Sequence, residues 1–229
     1  MKKMLFSGSF KNVKTIIMVL SMAVFVVSCA SSPYSVSNTM DIGQLQGTVA
    51  FSEIAILPMS YAFIPLIDAG IYNSFLDSNE SKRNAVVTRA ATKLVKHTSL
   101  DFSEDFSVKT VLVDAKFDTL YDKNNNVLPY VEQQIAKLCE DNNADYMVVL
   151  QGRIETTGVS FLGITGKNQF FIGANIFDKN GKKICSGTVD GNSDTINASS
   201  NEDFGIIVEM SKSKVAGLLR AMIVAPKRN

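Results

Sequence analysis

The apolar run Ile16 to Val27 divides this chain into a part made to be removed and a part made to fold. It is about a dozen residues long, short of the roughly 20 that a membrane-spanning helix needs. Lys2, Lys3, Lys11 and Lys14 precede or flank it, and residues 1–28 contain no acid. A basic start, a short apolar core and small residues at its end are the order of an export signal, which is cut from the mature protein. Residues 1–28 are therefore set apart from the folding domain.

The run ends Val26-Val27-Ser28-Cys29, which resembles the lipobox of bacterial lipoproteins. The resemblance implies cleavage before Cys29 and attachment of lipid to its sulfur. A thiol suits that step because its thiolate is a good nucleophile. Several acyl chains hold far better than one, since each buried CH₂ adds roughly 0.8 kcal/mol. An uncleaved anchor with an ordinary buried cysteine is the competing reading. The next residue is Ala30 rather than an aspartate, and the same resemblance implies an outer-membrane anchor with the domain facing the periplasm. Ser31 to Gln46 is rich in Ser, Asn, Thr and Gly and predicts a flexible tether. The expected organisation is a signal over 1–28, a lipidated tether over 29–47 and one α/β domain over 48–229.

Cleavage leaves 201 residues, ample for a single domain with a substantial core. Of 23 basic and 22 acidic side chains, four lysines leave with the signal, so the mature charge is about −3 with both signs interspersed. A nucleic-acid partner would call for a basic block to neutralise phosphates, and none is present. Cys139 and Cys185 remain. In an oxidising compartment they are open to pairing, yet each sits at an apolar position of a predicted element and is equally explained as a small buried hydrophobe. Neither has CxxC spacing, and no metal or cofactor is expected.

Along the domain, Val49 to Met59 predicts a buried strand, with Ile54-Ala55-Ile56-Leu57 apolar on both faces and Pro58 ending it. Ser60 to Leu76 follows, carrying Phe63, Ile64, Ile67 and Tyr72. It is too apolar for an ordinary loop, and fits an irregular segment packed on the sheet, a partner-binding patch or a piece lying against membrane. From Asn79 the spacing of Val86, Val87, Ala90, Ala91, Leu94 and Val95 predicts an amphipathic helix, with Lys82, Arg83, Arg89, Lys93 and Lys96 facing water. Val108 to Val113 predicts a strand, Leu128 to Asn142 a helix, and Asp145 to about Thr156 a central strand. Gln169 to Phe177 and Lys183 to Val189 predict a hairpin closed by a type I′ turn at Asn180-Gly181. Glu202 to Ile223 predicts one long helix covering the sheet. The sum is a mixed sheet of about five strands packed by helices, an α/β (α+β) fold.

Ile54-Ala55-Ile56-Leu57-Pro58, Ala144 to Gly152 and Ile176-Phe177-Asp178 to Gly181 occur in the order strand, helix, strand, helix, strand, hairpin, helix, behind a lipobox. That order resembles the envelope α/β domain of curli-export (CsgG-like) lipoproteins, the TolB amino-terminal domain and lipoprotein activators of peptidoglycan synthases. The resemblance implies an anchored domain that docks envelope proteins or helps assemble an envelope structure. No propeller follows as in TolB, and the sequence shows no clear pair of long alternating segments to build a pore.

Catalytic signals are sparse. His97 is the only histidine and falls at the expected end of a helix, where its ring complements free carbonyls. Gly163 to Asn168 has the wrong glycine spacing for a phosphate loop and predicts a strand connection. Asp118 and Asp122 lie in a turn-forming stretch that lacks the ligand spacing of a calcium loop. Glu104 and Asp105 are adjacent acids with surface-like neighbours. Two function classes stand. The first is a non-catalytic binding or assembly module, held by membrane lipid through Cys29 and partnered by an envelope protein or by itself, with Phe63, Ile64, Ile67, Tyr72, Phe161 and Leu162 as the contact surface. The second is a cell-wall-acting hydrolase with a dispersed site.

Changing Cys29→Ser is expected to abolish incorporation of labelled palmitate and to leave an uncleaved precursor, read as the lost label and a heavier band in cell fractions.

Overall fold

A computed structural model of the protein describes residues 33–62, 66–159, 166–189, 195–198 and 201–225, with backbone alone at 58–62, 66–79, 156–159, 166–168, 195–198 and 201. In chain order the elements are β1 (Tyr34–Ser37), β2 (Met40–Asp41), a 3-10 turn (Ile42–Gln44), β3 (Thr48–Ser52), β4 (Ala55–Ala62), α1 (Leu66–Phe106), β5 (Lys109–Val113), α2 (Pro129–Asp141), β6 (Tyr146–Val159), β7 (Gly166–Asp178), β8 (Lys183–Val189), β9 (Thr195–Ala198), α3 (Asn201–Met210), α4 (Lys212–Met222) and β10 (Ile223–Val224). The expected α/β class with a mixed sheet is what they form.

The main sheet has the order β1-β8-β7-β6-β3-β5, with β4 pairing β6 beyond β3, and β9 pairing β7. β3 runs parallel to β5 and β6, while β6, β7, β8 and β1 are antiparallel in succession. The chain leaves β3 through α1 to reach β5, then passes through α2 to reach β6 on the other side of β3. Parallel crossovers are right-handed, so reversing the direction of travel puts the two helices on opposite faces. The core divides accordingly. Val49 and Phe51 of β3 and Val148 and Leu150 of β6 pack with α1, α3 and α4, while Ala50, Met147 and Val149 pack with α2. A strand buried on both faces needs an unbroken apolar run, which is what these segments carry.

α1 is 41 residues long, begins well before the expected Asn79 and continues past His97. Its buried stripe from residue 83 onward is Arg83, Val87, Ala90, Leu94, Thr98 and Phe102, spaced by three and four. Arg83, expected in water, is 6% exposed, its guanidinium carbon 5.7 Å from the Phe204 ring centroid of α3. A cation whose stem lies on the apolar stripe covers core with its methylenes. Phe102 meets Phe51 edge-on at 5.3 Å, and Ser107, at φ 53°, ends the helix in the left-handed region. No helix among the described residues is long and apolar enough to cross a membrane.

Four local expectations are corrected. Residues 34–45, expected as flexible tether, are built into the fold. β1 pairs β8, β2 pairs β10, and a Cβ on Gly217 of α4 would stand 2.0 Å from the Tyr34 hydroxyl, so that ring lies directly on the helix. Pro58 does not end a strand. It lies within β4, where the pairing to β6 shifts register between Leu57 and Ser60, and a bulge tolerates the missing donor. The single carboxy-terminal helix is two, divided at Ser211, whose amide donates to the Val208 carbonyl at 3.2 Å while its buried hydroxyl donates to the Ile207 carbonyl at 3.0 Å. The hairpin turn has positive φ at Gly181 alone, and the Asp178 carboxylate accepts from the Asn180 and Lys182 amides at 2.9 Å each. A type I′ turn needs positive φ at both central residues, so this is a type I turn with a left-handed glycine bulge.

A Cβ on Gly181 would stand 2.0 Å from the Glu132 carbonyl oxygen of α2. Left-handed strain and this clash together should make Gly181→Ala cost roughly 2 kcal/mol or more, seen as a lower urea midpoint at unchanged slope.

Candidate functional site

α2 is 13 residues, about 20 Å, and its core takes in β5, β3, the start of β6 and the end of β7 on the sheet. Past it, the same face of β6, β7, β8 and β1 has no helix over it among the described residues. Alternation then decides what shows. Phe170, Ile172, Ala174 and Ile176 of β7 and Cys185 of β8 point into the α1 side of the core, so their neighbours face outward. Register lays them in rows: Ser37, Ser186 and Asn175 in one, Ser35, Thr188, Gly173 and Gln151 in the next, Phe171 and Arg153 in a third. The first two rows and Tyr121 enclose an open concavity of about 300 Å³.

One wall is built from the loop between β5 and α2. The Tyr121 hydroxyl donates to Asn175 Oδ1, and Lys183 Nζ donates to the Tyr121 oxygen at 3.4 Å while lying 4.5 Å from the ring centroid. Burial pushes the Tyr121 phenol up to about 12, so it stays a donor at neutral pH. Gln151 Nε2 donates to the Phe117 and Asp118 carbonyls at 2.7 and 3.2 Å, fixing its amide. Arg153 stacks over Phe171 at 5.1 Å and pairs with Glu155 at 3.3 Å. The loop closes on Asp122, whose carboxylate takes the Asn126 and Asn124 amides and the Asn126 side chain. Those bonds, the Asn126 amide first, hold its pKa below the ordinary value. Asp122 is spent on its own turn.

A second concavity of about 530 Å³ lies between α1 and β4. Its apolar floor includes Ile54, Val87 and Ile154, and its rim carries Glu80, Asp118 and the Glu53–Lys116 pair at 3.1 Å.

Of the residues singled out in the sequence, Cys29, Phe63, Ile64, Phe161 and Leu162 lie outside the described residues. Ile67 and Tyr72 fall in the first turns of α1, where the backbone alone is described, so part of the apolar stretch is helix rather than irregular chain. His97 is exposed in mid-helix, not at a helix end. Asp105 is held by Arg220 of α4 through bonds of 2.7 and 2.9 Å and does not converge with Glu104 on a cleft. Cys139 belongs to α2 and Cys185 of β8 lies in the core shared with α4, on opposite faces of the sheet, and both are free. Burial pushes each thiol up to about 11, with Asp178 and Asp145 adding to the effect at Cys139. No group of three or more His, Cys, Asp or Glu side chains able to hold a metal occurs among the described residues. The outward rows of β1, β7 and β8 were not singled out. Their signal was the polar half of an alternation whose apolar half was read for the core.

No family model matches the chain, and no curated protein matches it. Among solved structures it is similar to a PelC dodecamer from Paraburkholderia phytofirmans, at 15% identity and TM-score 0.40, over 81% of this chain and 94% of that one. It is also similar to a putative neuraminyllactose-binding hemagglutinin homolog from Helicobacter pylori, at 11% and 0.34 over 78% and 82%. Lipoprotein GNA1162 from Neisseria meningitidis aligns at 14% and 0.26 over 76% and 99%. Likeness of this degree transfers nothing those proteins do.

With Cys29→Ser, the folded uncleaved protein should show no thiol that reacts rapidly with a disulfide reagent, and two once guanidinium unfolds it. A thiol raised from 9 to about 11 on folding keeps its contribution below pH 9 and loses it as the unfolded chain ionises first. Stability should therefore fall between about pH 9 and 11, read as the urea midpoint against pH.

Proposed function

We propose that this chain is a lipid-anchored envelope protein of the outer membrane, facing the periplasm, that works by docking and assembly rather than catalysis. The observation that carries this reading is the long β6–β7 hairpin. The sequence showed no pair of long alternating segments, yet β6 and β7 are 14 and 13 residues and run well past β3 and β8. Beyond them the sheet is four strands wide. Ser60, Glu155, Gln169 and Thr195 form one row, Tyr61, Thr156, Asn168 and Ile196 the next, and Ala62, Thr157, Lys167 and Asn197 the third.

The outer edges of β4 and β9 have no further strand among the described residues. An open edge presents a row of unpaired amides and carbonyls, a ready template for another strand. Two different edges on one protomer make head-to-tail pairing possible, which closes into a ring or extends as a filament. Anchorage through Cys29 would hold copies on one membrane surface and raise their effective concentration, which favours weak edge contacts.

Photoreactive residues at Tyr61 and Asn197 of the full-length protein in intact cells test this. Capture of a second copy or of one discrete envelope protein is the expected result, and uncrosslinked monomer at both positions overturns it.

A further inference from the structure

The open face beside Tyr121 carries unspent polar capacity at high density. The Ser35, Ser37, Ser186 and Thr188 hydroxyls have no hydrogen-bond partner among the described residues, and all four line the same concavity. Asn175 is only 5% exposed, yet Tyr121 satisfies its oxygen alone and its amide nitrogen has no acceptor. That nitrogen opens onto the concavity and is available there as a donor. Gln151 spends its nitrogen on two carbonyls and leaves its oxygen free toward the same space.

Gly173 is the floor. A Cβ there would have nothing closer than 4.0 Å, so the depression above it is open. Among the described residues Lys183 is the one charged residue in the lining, and no carboxylate joins it. Among the described residues its ammonium bonds to Tyr121 alone, which leaves two ammonium protons available. A volume of about 300 Å³ is at the small end of ligand pockets. Hydroxyls that both donate and accept, two amide groups fixed by their other bonds and one uncompensated cation complement a ligand bearing several hydroxyls and one negative charge.

We infer that this concavity binds a small polyhydroxylated anion, a sugar acid or sugar phosphate, with Lys183 meeting the charge, and Asn175, Gln151, Ser35 and Thr188 meeting the hydroxyls over Gly173. It lies away from the outer edges of β4 and β9, so it stands or falls apart from the assembly reading.

Calorimetric titration of the mature lipidated protein in detergent, with glucuronate, glucose 6-phosphate, glucose and inorganic phosphate as probes, tests it. The expected result is binding of glucuronate or glucose 6-phosphate at least tenfold tighter than glucose and inorganic phosphate, with the better probe identifying the charged group. Gly173→Leu should abolish that binding at unchanged melting temperature, because its side chain fills open space. Should Gly173→Leu unfold, Lys183→Met should weaken the charged probes at least tenfold and leave glucose unchanged. Equal binding of inorganic phosphate, no binding of any probe, or binding unchanged in both variants overturns the assignment.

Discussion

Everything in this fold depends on β3 being buried on both faces. Val49 and Phe51 face one helical layer and Ala50 the other, with residues 49–51 fully inaccessible. Because β3 lies between β5 and β6, the chain travels to one side of it to reach β5 and then back across it to reach β6, and the handedness of those two crossovers sends α1 to one face and α2 to the other. The strand ends just before Glu53, whose amide donates to the Ala115 carbonyl at 2.9 Å. The chain then resumes as β4 beside the second half of β6. One central segment thereby sets the helical layers and the place where the sheet begins to outgrow them.

The two layers are unequal, and the surfaces open to ligands and partners follow from that inequality. On one face α1, α3 and α4 share a continuous core, and the exposed pairs Lys93–Glu209, Lys212–Asp101 and Arg220–Asp105 cross between helices. Such surface pairs contribute at most about 1 kcal/mol each, so packing holds this layer and the charges mark its seam. On the other face a short α2 leaves half the sheet uncovered. The β-strand period of two then makes every second residue of β7, β8 and β1 a surface residue. Serine, threonine, asparagine and glycine at those places make a polar floor, and the Tyr121 loop, fastened by its own Asp122 turn, makes a wall.

The core was legible in the sequence wherever burial was two-sided or helical spacing was sustained. Met147 to Leu150, the Phe170 to Ile176 alternation and the Val87 to Val95 stripe all occupy the places their patterns require. What escaped were elements whose stabilisation is not local. Tyr34-Ser35-Val36-Ser37 is too short and polar to signal a strand beside so much Ser and Asn, yet β8 supplies its ladder and α4 supplies a seat for its ring. The first turns of α1 carry Gly70, Asn73 and Ser74, poor helix formers, and read as a break in the pattern. Arg83 counted as a solvent charge because spacing alone does not reveal that α3 lies across it.

By itself the sequence determined the export signal and the modifiable Cys29 as an expectation, the α/β class, the core faces of most strands and helices, and the sparseness of recognisable catalytic motifs. These are properties of short windows, in which hydrophobic period, turn residues and motif spacing are complete. The tertiary structure alone decided the division of the core into two layers, the separation of Cys139 from Cys185, the recruitment of residues 34–45 into the sheet and the joining of Ser35, Tyr121, Gln151, Gly173 and Lys183 around one concavity. Those residues are spread over about 150 positions of chain. Only the order and register of strands brings them together, and that register is set by which faces are buried, a property of the whole sheet and of no segment within it.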